Sequence, residues 1–335
     1  MKLAGHREGS VLEAVDPALA RAVTAGLEVV EGRLRDVVES AHPMLTEAAS
    51  HLVEAGGKRF RPLLALLAAQ LGDPKAAGVV DAAVVVELTH LATLYHDDVM
   101  DEADVRRGAQ SANSRWTNTV AILTGDFLFA RASDLTAGLG TEATHLQSQT
   151  FARLVEGQIA ETAGPGEGQE PVAHHLQVVA DKTGSLIATS ARLGALTAGA
   201  SAANVDTVTR FAEVIGIAFQ LSDDLIDVLS ETGESGKTPG TDLREGVHTL
   251  PVLLVLAGRD DASARLRELL RGDLTDDARL AEALALLRAH PAMAQARERL
   301  TAFVEQARSV VAQLPAGPAR DALGSLTDFV LARTG

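Results

Sequence analysis

Residues 77–101 read AGVVDAAVVVELTHLATLYHDDVMD. Almost every position before the closing acids is apolar or small, and no proline interrupts the run. It is too long for a strand and reads as a helix that is apolar nearly all round. A helix of that kind has no face to give to water. It predicts a central helix surrounded by others, not a two-layer bundle.

Apolar residues recur at helical spacing through most of the remaining chain. Asp16-Pro17 reads as an N-cap with proline at the first helical position, opening a helix to about residue 40. Pro43 restarts a short helix that stops at Gly56-Gly57, and another covers about 61–71. Further helices fall at about 112–138, 142–163, 172–199 and 205–230. The last third reads as helices at 247–258, 262–271, 276–289, 292–313 and 317–332, with Thr275 as the cap before Asp276-Asp277. No stretch reads as a strand, and no fixed-period repeat or low-complexity linker divides the chain. The reading is one large all-α domain over residues 1–335.

Composition narrows the function. Aromatic residues make up 3% of the 335, which disfavours an all-β fold. The net charge of −15, with no basic run, disfavours nucleic acid as a partner. Cysteine is absent, which removes disulfides, thiolate metal sites and cysteine nucleophiles together. The first residues lack the apolar core of a secretory signal. Uninterrupted apolar runs such as 63–69 and 250–257 are far short of a bilayer span. The expectation is a soluble cytoplasmic protein without stable membrane insertion.

Two acidic motifs carry the chemistry. Asp97-Asp98-x-x-Asp101 closes the central helix, and Asp223-Asp224-x-x-Asp227 closes another apolar helix. On a helix, Asp97 and Asp101 share a face, with Asp98 alongside. Like charges so close repel, and a divalent cation would neutralise them. Oxygen-only donors suit Mg²⁺, which commonly shares its shell with substrate phosphate. One such cluster is usually a solvated helix end, but two at the same spacing on two apolar helices are not readily accidental.

Cations accompany the acids. Gly56-Gly57-Lys58-Arg59-Phe60-Arg61-Pro62 fits an anion pocket or a solvated loop, and Arg106-Arg107-Gly108 follows the first acidic motif. Arginine suits bidentate phosphate contact. Gly236-Lys237-Thr238 follows the second motif but lacks the order of a Walker A loop. Paired acids with nearby cations are what metal-bridged diphosphate binding requires.

At this point the chain resembles the trans-isoprenyl diphosphate synthases, or polyprenyl synthetases. The resemblance runs from Gly56 to about Pro251 and rests on GGKRFRP, LATLYHDDVMDEADVRRG, GDFLFA, Lys182-Thr183, FQLSDDLIDV and GKTPGTDLREG, in that order. It implies the isoprenoid synthase fold, a large helical bundle around a central cavity, usually as a homodimer. It implies Mg²⁺, with three ions once substrate is bound. Asp97 and Asp101 are similar to the family's metal ligands, supported by Asp98. Asp223 resembles the second ligand, with Asp224 and Asp227 in or behind the shell and Asp242 as an outer acid. Lys58, Arg61, His90 and Arg107 resemble the isopentenyl diphosphate site. Arg106, Lys182 and Lys237 resemble the allylic diphosphate site, and Thr183 and Gln220 the polar groups beside the allylic cation. The implied reaction is head-to-tail condensation of isopentenyl diphosphate with an allylic diphosphate. Asp126 has no chemical role in this reading.

The product tail must run down the central helix, away from the metal. Thr93 and Ala92 lie one turn before Asp97, and Thr89 one turn further. All are small, whereas an aromatic near these positions shortens the product in family members. Tyr95 is about 200° round the helix from Asp97 and should face elsewhere. From Asp97 to about Val80 is roughly 25 Å, or about five isoprene units. This favours a product of around C30 to C50, a quinone side-chain precursor, over geranylgeranyl diphosphate, unless Phe127, Phe129 or another bulky side chain sets a floor. A terpene cyclase would be expected to differ at the second acidic motif and to lack GGKRFRP. A non-catalytic or partner-dependent subunit of a two-component synthase is the remaining alternative.

Overall fold

In a computed structural model of the protein, residues 16–230 and 239–334 are described. The helices are α1 (Pro17–Val37), α2 (Pro43–Glu54), α3 (Phe60–Ala69), α4 (Gly78–Met100), α5 (Ala112–Arg115), α6 (Asn118–Gly138), α7 (Thr141–Ala163), α8 (Pro171–Val179) and α9 (Ser185–Thr197). They continue with α10 (Ala202–Leu229), α11 (Thr241–Arg244), α12 (Leu250–Ala257), α13 (Ala264–Leu270), α14 (Asp277–Ala289), α15 (Pro291–Val311) and α16 (Pro318–Ala332). Apart from one short hairpin, every described element is helical, as the resemblance implies.

The caps follow the local chemistry. The Asp16 carboxylate accepts from the N–H groups of Ala18 and Leu19, with Pro17 at the first helical position. Asp276, not Thr275, caps α14 by accepting from the Arg279 N–H. The expected helix at 112–138 breaks at Trp116, where Thr117 caps α6 afresh through the Val120 N–H.

Two further departures bear on the site. A two-stranded hairpin pairs β1 (Val105–Arg106) with β2 (Ala109–Gln110). Its turn residues, Arg107 and Gly108, both have positive φ, of 55° and 76°. Such two-residue turns match the twist of the strands, but they are strained for arginine. The expected helix at 172–199 contains a π-helical turn over Ala180–Gly184, between α8 and α9. π turns are often found at functional sites, and this one carries Lys182 and Thr183.

α4 is the central helix. From Val79 to Asp98 most of its side chains are buried, and it packs against α1, α3, α6 and α9. It is long and apolar enough to cross a bilayer by composition, yet 67% of its most apolar window is buried in the protein. α10 is the second axis, packed against α9, α12, α15 and α16. α9 touches both axes, so it sets the distance between the two acidic helix ends. Gly194 permits part of this packing, because a Cβ there would lie 2.1 Å from the Ala65 carbonyl oxygen of α3.

Candidate active site

Along α4, His90, Thr93, Leu94 and Asp97 are partly exposed, while Leu88, Thr89, Leu91, Ala92 and Tyr95 are buried. The spacing i, i+3, i+4, i+7 is one helix face. That face opens where most of the helix is sealed. Tyr95 points elsewhere, as its angle on the helix predicts: its hydroxyl donates to the Ala48 carbonyl and accepts from the Leu52 N–H.

The first acidic motif divides into outward and inward groups. Asp97 is partly exposed and Asp101 exposed, whereas Asp98 is fully buried. Arg106 Nε donates to Asp98 Oδ1 at 2.5 Å, and Arg106 Nη2 lies 3.9 Å from Asp101. Arg106, expected at the allylic diphosphate, sits against the first acidic motif and braces it. Asp97 is pushed up to about 6, chiefly by burial; Lys182 opposes the shift and Asp101 adds to it.

The second motif is divided in the same way. Asp223 faces outward and is paired with Arg333 beyond the end of α16. That guanidinium is held over the rings of Phe219 and Phe329. Asp224 is buried: its Oδ1 accepts from Gln220 Nε2 at 3.0 Å, and its Oδ2 lies 3.3 Å from His175 Nε2. Thr183 in turn donates to Gln220 Oε1 at 3.1 Å. Asp227 accepts from the N–H groups of Thr241 and Asp242, so its carboxylate holds the start of α11.

The π turn joins the two motifs. Lys182, paired with Glu161 of α7, acts electrostatically on Asp97, while its neighbour Thr183 leads through Gln220 to Asp224. Gly157 of α7 lets this turn approach, since a Cβ there would lie 3.0–3.1 Å from Asp181 and Lys182. Lys237 falls in 231–238, outside the described residues.

The structure splits the basic segment by role. Arg59 is buried and clamped by Glu31 and by Glu87, the latter at 2.7 Å; these partners outweigh its burial and hold its pKa above the ordinary value. Arg59 is thus an internal brace. Lys58 is exposed, and Arg61 and His90 are partly exposed. Arg61 is lowered to about 10 by burial and stays charged at neutral pH. His90 is driven well below its ordinary value by burial and then by Arg61 and Arg107, which keeps the ring neutral. Arg107 donates to the Leu52 and Gly56 carbonyls and sits 3.7 Å from Glu87. Of the expected cluster of Lys58, Arg61, His90 and Arg107, the last three come together, near one buried carboxylate, Glu87.

The residues fit a hard divalent cation. Asp97, Asp101 and Asp223 offer outward oxygen donors at the two helix ends, and a guanidinium already sits on Asp223 where positive charge is wanted. Among the described residues no three His, Asp or Glu side chains preassemble as a metal cluster. Water or substrate oxygens can complete such a shell, as is common for Mg²⁺. Asp97 also makes a pH prediction for metal-free protein. Its folded-state pKa is raised, so the folded state takes up the proton first as pH falls through 6. Asp97→Asn should raise the melting temperature at pH 8, and the gain should fade toward pH 4. A gain that does not change with pH in calorimetry with chelator would contradict this.

Some sites were not legible in sequence. Arg333, Glu161 and His175 belong to no motif, and only the fold brings them to the acids. Glu87 had a signal, as the one acid among the apolar residues in the middle of the central helix. Gly125-Asp126 also gains an explanation: a Cβ at Gly125 would lie 2.3 Å from His96 Nε2, and Asp126 lies 3.5 Å from that nitrogen. The block is a close helix crossing.

An all-α bundle with two carboxylate motifs linked through one π turn, beside a separate arginine pocket, is the arrangement of an enzyme that handles diphosphates. Residues 42–287 match the family described as Polyprenyl synthetase, and the chain belongs to that family. It is 51% identical over 321 residues to a nonaprenyl diphosphate synthase of Mycobacterium tuberculosis, covering 96% of each chain. Its structure is similar, with a TM-score of 0.86 and 44% identity, to geranylgeranyl pyrophosphate synthase from Corynebacterium glutamicum complexed with calcium and isoprenyl diphosphate; 96% of this chain and 98% of that one are covered. It is also similar to a decaprenyl diphosphate synthase from Rhodobacter capsulatus, with a TM-score of 0.85 and 34% identity, covering 95% and 99%. The chain is a prenyltransferase.

Proposed function

We propose that the protein condenses isopentenyl diphosphate head-to-tail with an allylic diphosphate and makes a long-chain all-trans polyprenyl diphosphate, about C30 to C50 by the length of α4, as a quinone side-chain precursor. The observation that carries this is the pairing of two acidic helix ends through Lys182, Thr183 and Gln220, beside a distinct cation pocket at Arg61, His90 and Arg107. One diphosphate needs the acids and the other needs the cations. Mg²⁺, as three ions held by Asp97, Asp101 and Asp223, would neutralise the departing diphosphate.

The chain's own residues do the rest. Lys58, Arg61 and Arg107 bind the isopentenyl diphosphate, and neutral His90 can donate an N–H without adding charge. Lys182 and Lys237 hold the allylic diphosphate. The allylic C1–O bond breaks, and C4 of isopentenyl diphosphate bonds to C1. Thr183 and Gln220 offer oxygen lone pairs to the cation, and the C2 proton leaves to the departing diphosphate. Asp98 and Asp224, turned inward, and Asp227, bound to the start of α11, fix the ligand faces.

Long chains are supported by small residues on the α4 face and by the 51% identity to a nonaprenyl synthase. Thr93 borders the opening, whereas Ala92 and Thr89 are fully buried. Phe129 packs between His96 and Phe151, and Phe127 lies against Arg131. Thr93→Phe should therefore shorten the product, and the same ladder as wild type on chromatography would contradict this. Ala92→Phe, at a sealed position, should mainly destabilise. The alternative product, geranylgeranyl diphosphate, is favoured by the sealed layer at Thr89 and by the 44% identity to a geranylgeranyl pyrophosphate synthase.

We read the chain as a single domain that works as a soluble cytoplasmic homodimer. Exposed Ile122 and Leu123 on α6, with Val155 and Ile159 on α7, supply an apolar surface for a second copy. The decisive experiment follows incorporation of labelled isopentenyl diphosphate. Incorporation that requires an allylic starter and stops with chelator is expected, and starter-independent or chelator-resistant turnover would overturn the reading.

A further inference from the structure

The tail route down α4 is closed one turn below Thr93. There Gln147 of α7 donates from Nε2 to Thr89 Oγ1 at 2.6 Å, while the Thr89 hydroxyl donates to the Val85 carbonyl at 2.8 Å. One turn along α7, Thr150 shares a hydrogen bond with Thr189 of α9 at 2.6 Å. All four side chains are buried; Gln147 is 7% exposed and Thr89 0%. Gln147 Oε1 has no hydrogen-bond partner.

This polar layer borders an apolar cluster separate from the main core. Val85 and Val86 of α4, Leu154 of α7 and Leu186 and Leu193 of α9 belong to it, with Phe151 packed against it. Buried polar groups in such surroundings lower stability unless fully paired, and Gln147 is only half paired. An amide there contributes little to folding that a hydrophobic side chain would not. Thr89 is eight residues before Asp97, about 12 Å along the helix. That depth corresponds to roughly two isoprene units, well short of the apolar cluster's far end.

We propose that Gln147 is a chain-length-determining residue: its hydrogen bond to Thr89 is the barrier that the growing tail must part to enter the apolar cluster beyond. The hydrocarbon end of the tail meets an amide instead of a methyl-lined wall. Elongation therefore slows at this depth, and intermediates have time to leave. The inference rests on the prenyl diphosphate synthase reading above.

The test sizes the products of the full-length wild-type protein and of Gln147→Ala at equal turnover, with Mg²⁺ and a C15 starter. The variant should shift the distribution toward longer products by at least one isoprene unit and release fewer short intermediates. A melting curve reports on folding. If Gln147→Ala does not fold, Gln147→Leu keeps the volume, removes the amide and should give the same shift. A wild-type distribution from either folded variant would overturn the proposal. Absence of elongation by the wild type would instead overturn the functional reading on which it rests.

Discussion

Asp97→Ala is expected to lower turnover by about two to four orders of magnitude, the equivalent of roughly 3–5 kcal/mol of transition-state stabilisation. Asp97 is the outward carboxylate of the first motif, under the combined influence of burial, Lys182 and Asp101. On the proposed mechanism, removing it deletes a metal ligand at the point where negative charge develops on the leaving group. It also removes a repelling charge, so the fold should survive with an unchanged or higher melting temperature. Loss of activity together with loss of folding would show a structural role. Near-normal turnover would remove the acids from the mechanism. Asp223→Ala should behave alike, with Arg333 left without its partner.

The second large effect is on stability. Glu87 is the buried carboxylate shared by Arg59 and Arg107, and it also acts on Arg61. Removing one member of a buried ion pair strands the other, at a cost of about 3–5 kcal/mol. Glu87→Ala should therefore lower the melting temperature by roughly 5–12 °C. It strips the counter-charge from the same arginines that would hold diphosphate. Inorganic diphosphate should restore part of the lost stability in the variant, and more than it adds to wild type. An unchanged melting temperature would mean that the arginines do not depend on Glu87.

The fold was legible because its decisive features are local. The 77–101 run identifies a helix that has to be central, and Asp16-Pro17 and Pro43 mark real helix starts. The π turn was not legible: residues 172–199 carry an unbroken helical pattern, and the extra residue is accommodated by the close approach of Gly157 and by Gly216 against Gly184. The hairpin at Val105–Gln110 has too few residues to show alternation, although Arg107-Gly108 at its turn was visible as a pair.

The acids were legible because their spacing repeats. Their division of labour was not, since it depends on which oxygen each neighbour reaches. Arg106 on Asp98 and Gln220 on Asp224 turn two of the six carboxylates inward. Arg333 lies 110 residues beyond Asp223, and only the packing of α16 against α10 brings it there. The charge of the basic pocket was visible in sequence. Its buried counter-ion was visible only as a single glutamate out of place on an apolar helix.

The most direct measurement is the size of the product. The purified protein would be given Mg²⁺, labelled isopentenyl diphosphate and each allylic starter in turn, and the dephosphorylated products would be separated by chain length. The account predicts an all-trans ladder that requires a starter and ends between about C30 and C50, from the length of the α4 route. A sharp stop at C20 or below with every starter would contradict the long-chain claim, and no elongation from any starter would contradict the chemistry itself.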